Sequence, residues 1–103
     1  MTWILPLKSL PSGSANLVGG KGEALRHLTA NGLCIPPTVC VTTRAYQDFV
    51  DSAGLREKIH LELNRKIFSK MRWEEVWDAS QRIRLLFLRT PMPADMHTTL
   101  ARH

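Results

Sequence analysis

The sequence predicts an α+β fold that is mostly helical, with a short strand-helix-strand start followed by several helices. Three observations carry this. The first apolar runs are brief and cut by proline, as in Trp3-Ile4-Leu5-Pro6-Leu7 and Leu33-Cys34-Ile35-Pro36-Pro37. From Leu55 onwards apolar residues recur every three or four positions, the period of a helix buried on one side. Asn31-Gly32 and Ala53-Gly54 supply the glycines at which helices stop.

Each element follows in order. Residues 3–7 read as an edge strand, because proline cannot donate to a ladder. Residues 8–20, dense in Ser, Gly, Pro and Asn, read as loop. A helix is predicted from Gly22 to Ala30, with Ala24, Leu25 and Leu28 as its apolar face. Val39-Cys40-Val41 is the second strand. Thr42 or Thr43 caps the next helix through its hydroxyl, and Ala45, Tyr46, Phe49 and Val50 form that helix's apolar face. Leu55, Ile59, Leu63 and Ile67 make a narrow stripe on a third helix. Ser69 is expected to cap a fourth, in which Trp73, Val76, Trp77, Ser80, Ile83 and Phe87 follow the three-four spacing. Trp73 and Trp77 are expected in its core. Pro91 ends that helix, and Pro93 opens a last short one carrying Met96 and Leu100.

Composition excludes several classes. The 103 residues are 44% hydrophobic and 22% charged, ordinary for a folded domain. A net charge of +5 favours anionic partners. The cations alternate with acids, as in Arg56-Glu57-Lys58, without the basic-aromatic interleaving of a nucleic-acid surface, so nucleic acid is not an expected partner. Cys34 and Cys40 match no zinc or redox spacing and read as small apolar residues. The start MTWILPLKSLP lacks the basic, long-apolar form of a signal peptide, and no window is long enough to span a bilayer. A cytoplasmic chain without membrane partners is expected.

Only one stretch has the shape of a binding site. In Gly19-Gly20-Lys21-Gly22 the glycines let backbone N–H groups approach a phosphate, and the lysine adds a mobile positive charge. It is not a Walker A loop: Ala15 stands where the first glycine should be and Gly22 where the Ser or Thr should be. Residue chemistry leaves two readings open, a phosphate contact and a plain turn, the turn being the commoner. His27, His60, His97 and His103 share no metal-ligand spacing. Glu74-Glu75 fits a helix first turn, where negative charge meets the helix dipole. No nucleophile–base pairing stands out, so no catalytic residue and no metal ligand is assigned.

The surrounding order of elements is more specific. Gly19-Gly20-Lys21-Gly22, Asn31-Gly32, Ile35-Pro36-Pro37, Thr42-Thr43, and Tyr46 with Phe49 resemble the opening of the pyruvate phosphate dikinase and phosphoenolpyruvate synthase family. The stretch MRWEEVWDASQRIRLLFLRTPMPADM resembles the helical part of its synthase-like members. Thr38 departs from the family's usual glycine after the proline pair.

The resemblance implies an ATP-grasp-like nucleotide-binding domain at the start of a longer enzyme. There ATP phosphorylates a histidine on a separate domain, which passes the phosphoryl group to pyruvate or another acceptor. It assigns Lys21 to the ATP phosphates, with Gly19, Gly20 and Gly22 as the supporting loop. It also implies that a second phosphate-binding arginine, the magnesium ligands, the phosphohistidine domain and the pyruvate-binding domain would lie beyond His103. Residues 1–103 are accordingly expected to be one partial domain, with 1–43 strand-loop-helix-strand and 44–103 helical. Such a fragment should be inactive alone. The partners implied are ATP and the remainder of the parent enzyme. Two alternatives stand beside this reading: a family member with an antibiotic or carbohydrate acceptor, and a stand-alone helical interaction module.

Overall fold

A two-stranded antiparallel sheet opens the chain. β1 (Ile4–Pro6) pairs with β2 (Val39–Val41), setting Ile4 opposite Val41, Leu5 opposite Cys40 and Pro6 opposite Val39. Backbone bonds extend the pairing at both ends, from the Leu7 N–H to the Thr38 carbonyl (3.0 Å) and from the Thr42 N–H to the Trp3 carbonyl (2.8 Å). The computed structural model describes residues 3–103; Met1 and Thr2, part of the predicted start, lie outside them. Five α-helices are found among the described residues, so the mostly helical α+β class is observed.

The first helix, α1 (Ala15–Ala30), begins seven residues earlier than the pattern predicts. Residues 15–18 form a helical turn inside the expected loop, and Gly19 then leaves helical geometry with φ 80° and ψ 176°. Its end follows the sequence signal. The Gly32 N–H reaches the Thr29 carbonyl and the Leu33 N–H reaches Leu28, with Gly32 left-handed at φ 85°. That is a Schellman stop, open to glycine because it lacks a Cβ. Ala24 is exposed and Leu28 is 39% exposed, so only Leu25 of the predicted face is well covered.

α2 (Thr43–Ser52) is capped as expected, the Ala45 N–H donating to the buried Thr42 Oγ1 at 3.3 Å. Its covered face is Ala45, Phe49 and Val50, while Tyr46 points to solvent at 53% exposure. α3 (Leu55–Leu63), α4 (Trp73–Arg89) and α5 (Ala94–Ala101) complete the chain. Ser69 caps nothing: it lies in the 3₁₀ turn Phe68–Lys70, and Arg72 stands at the start of α4.

The chain divides into two compact units. The first runs to Asp48 and includes Ala94–His103. Within it α1 packs on β2 and on the 3₁₀ turn Leu7–Ser9. Leu7, Leu10, Ala45 and Met96 are its buried apolar residues, and the Trp3 indole N–H donates to Asp48 (2.8 Å). The second unit, Phe49–Pro93, packs α3 on α4. Phe49 and Phe87 stack with centroids 6.0 Å apart, and Arg82 of α4 pairs with Glu62 of α3 at 2.6 Å. Leu55 is fully buried and Ala79 nearly so. Trp73 and Trp77 are 72% and 58% exposed, so the small Ala79, not the tryptophans, sits at the centre of α4's inner face. Cys34 is likewise exposed, while Cys40 is half-buried.

Candidate functional site

The glycine-lysine stretch lies within α1, at and after its break. At Gly19 the pairing of positive φ with an extended ψ belongs to a region that residues with a Cβ do not occupy without strain. The helix therefore restarts at Gly20, and the ladder of backbone bonds is interrupted there. Donors just after such a break have no helical carbonyl behind them.

The three glycines do different work. A Cβ built on Gly19 or Gly20 meets nothing within 4 Å, so the space beside the break is open. Gly22 is buried, and a Cβ there would stand 2.7 Å from Val18 Cγ2 and 3.6 Å from Cys40 Sγ. Its missing side chain lets the restarted helix close on its own first turn and on β2. Lys21, between them, is exposed.

Two side chains that sequence reasoning missed hold this break in shape. Glu23 accepts a bidentate pair from Arg26, at 2.9 Å from Nε and 2.7 Å from Nη2. The same carboxylate accepts the backbone N–H of Ser14 at 2.9 Å, reaching back across the break to the start of α1. The Arg26 guanidinium, aided by the Ser14 N–H and opposed by partial burial, holds the Glu23 carboxyl down at about 2. Thr43 adds a further tie, its hydroxyl donating to the Asn16 carbonyl at 2.8 Å. The Glu–Arg spacing of three is the one sequence signal that pointed to the pair.

Of the two cations in residues 14–26, Arg26 is thus committed to Glu23. Lys21 makes no ion pair among the described residues. The open concavity of about 400 Å³ in this unit lies elsewhere, near Lys8, Thr29 and the Pro36-Pro37 turn, and does not include Lys21. Thr38, where the family pattern departs, closes that turn by donating to the Pro36 carbonyl (2.7 Å). No group of three or more His, Cys, Asp or Glu side chains among the described residues is placed to hold a metal ion. No described helix is long and apolar enough to cross a membrane.

Comparison with known proteins bears on this geometry. Residues 15–103 match the family model of the pyruvate phosphate dikinase AMP/ATP-binding domain. The chain is 40% identical over 90 residues to the phosphoenolpyruvate synthase of Aeropyrum pernix, covering 87% of this chain and 11% of that protein. It is 32% identical over 103 residues to the probable phosphoenolpyruvate synthase of Methanocaldococcus jannaschii, covering 97% of this chain and 8% of that one. A shorter match, 44% over 36 residues, is to the prodigiosin synthesizing transferase of Serratia marcescens. The chain thus spans about a tenth of the length of the synthases it matches.

Proposed function

The chain belongs to the family of the pyruvate phosphate dikinase AMP/ATP-binding domain, and on that premise we propose that Lys21 contacts the phosphates of ATP. The observation that carries this is an exposed, unpaired lysine just after a helix break, flanked by open space at Gly19 and Gly20. A helix start offers backbone N–H groups to an anion, and the lysine contributes a point charge that follows the phosphate oxygens. Phosphoryl transfer asks mainly for positioning and charge stabilisation, which is the work assigned to this loop. Gly22 serves the site indirectly, by letting the loop close on Val18 and β2.

In this reading the chain forms one wall of the ATP site of a phosphotransferase of the pyruvate, water dikinase type. The magnesium ligands, the phosphohistidine domain and the pyruvate-binding domain are assigned to other parts of the enzyme. The chain alone is catalytically inert. The acceptor is not set here, in keeping with the match to a transferase whose name points to prodigiosin synthesis rather than to phosphoenolpyruvate. Unpaired thiols, one of them exposed, suit a reducing cytoplasm.

The test is a titration of the labelled chain with ATP, with inorganic triphosphate and with adenosine, followed by backbone amide NMR. Shifts should cluster at residues 19–23 with both phosphate-bearing ligands, be absent with adenosine, and be lost in Lys21→Ala. Shifts centred elsewhere, or unchanged in Lys21→Ala, would remove the assignment.

A further inference from the structure

We propose that α1 is a two-state element, held in its broken form by Thr43 and Glu23, and that Thr43 is thereby a positioning residue for the phosphate contact. Thr43's part in the site rests on the Lys21 reading, while the two-state helix does not. The alternative to the break is a continuous helix from 15 to 30. Glycine occupies helical φ about as readily as the φ of 80° found at Gly19, so the joint itself does not choose between them. The choice falls to groups that bond only when the break is present.

Both ties meet that condition. In a continuous helix Ser14 and Glu23, nine residues apart, would stand about 13.5 Å apart along the axis, beyond the reach of a glutamate side chain. Here the carboxylate accepts the Ser14 N–H at 2.9 Å, which requires the break between them. Thr43 acts on the ladder itself. In a continuous helix the Asn16 carbonyl would accept the Gly20 N–H. It accepts instead the hydroxyl of Thr43, the first residue of α2, at 2.8 Å. The neighbouring Thr42 supplies the cap of α2, so the two hydroxyls divide the work.

Thr43 thus takes the acceptor with which Gly20 would close the ladder. Gly20 is exposed and is the first residue after the break, so its N–H stays available to a ligand. Straightening would tie the Gly20 and Lys21 N–H groups to the Asn16 and Leu17 carbonyls and withdraw them. A hydroxyl–carbonyl bond and the ladder bond it displaces are of similar worth, so losing one tie shifts the balance.

Amide–water exchange of the labelled chain, read by NMR, together with a titration by inorganic triphosphate, tests both halves. In the parent the Gly20 amide should exchange at nearly the rate of an unstructured one. Thr43→Val and Glu23→Ala should each slow it by about twofold or more. Gly19→Ala, which disfavours the break from the joint itself, should slow it by roughly tenfold. Thr43→Ser, which keeps the hydroxyl, should restore the parent rate. Exchange and binding both need the broken form. In Thr43→Val and Gly19→Ala, whose charge is the parent's, triphosphate affinity should therefore fall by the factor by which exchange slows. A protected Gly20 amide in the parent would overturn the proposal. So would faster exchange across α1 in Thr43→Val, the mark of a merely structural loss, or a Thr43→Ser chain that behaves like Thr43→Val. If triphosphate shifts nothing at residues 19–23 of the parent, the Lys21 reading falls and Thr43's part in the site with it, and the exchange rates still decide the two-state helix. If Thr43→Val does not fold, the parent and Gly19→Ala rates decide it.

Discussion

A methyl group added at Gly20 meets open space, whereas one added two residues later at Gly22 would collide with Val18 at 2.7 Å. The two substitutions therefore separate packing from binding. Gly22→Ala should destabilise the chain by about 1–3 kcal/mol, the range for overfilling a packed site, read as an earlier urea midpoint at constant slope. Gly20→Ala should be neutral or stabilise by up to about 1 kcal/mol, because alanine is the better helix former and no neighbour obstructs it. If backbone at Gly20 approaches a phosphate, the same variant should nevertheless weaken the triphosphate-induced amide shifts. Equal stability losses in the two variants would contradict the packing found here. A Gly20→Ala chain that responds to triphosphate like its parent would remove Gly20 from the site.

At the scale of the element, α1 is two helical pieces joined at Gly19 and clasped by Glu23. Gly19→Ala should cost about 1–3 kcal/mol, the usual strain of a side chain in that backbone region. The clasp makes a pH prediction whose sign is fixed. The folded-state carboxyl of Glu23, held mainly by Arg26, titrates near 2, below its ordinary value of 4.5. Its contribution is therefore complete above about pH 4.5 and is lost as pH falls from there through 2. Urea midpoints measured from pH 6 down to 2 should fall in the parent and fall less in Glu23→Gln. Parallel profiles for the two would show that the clasp does not form in solution. The Schellman stop at Gly32 and the Thr42 cap were legible in the sequence because each depends on one or two adjacent residues. The turn at residues 15–18 was not, because it is held by Glu23 and Thr43 from outside the window. Lys21 and its glycines were legible as a possible site for the same local reason, but their support was not. In α4 the spacing located the helix, yet period alone does not say which residues of a broad apolar face find a neighbour. The tryptophans were placed wrongly on that account.

For the whole molecule the ledger of charge decides how well ATP should be held. A net charge of +5 draws an anion towards the chain, but attraction at that range is screened within about 8–10 Å at ordinary ionic strength. Close to the helix break there is one uncommitted cation, Lys21, since Arg26 is taken by Glu23. One lysine and a few backbone donors against a triphosphate make a weak site, with a Kd in the millimolar range, about −4 kcal/mol. At a ligand concentration equal to Kd, linkage stabilises the fold by only about 0.4 kcal/mol, roughly 2–3 °C for a domain of this size. A thermal scan with about 1 mM ATP should therefore raise the midpoint by no more than about 2–3 °C. The rise should shrink in high salt and vanish in Lys21→Ala. A rise of roughly 10 °C or more would correspond to a site tighter by roughly tenfold or more. That outcome would mean that cations outside the glycine loop complete the ATP site within these 103 residues, against the one-wall reading.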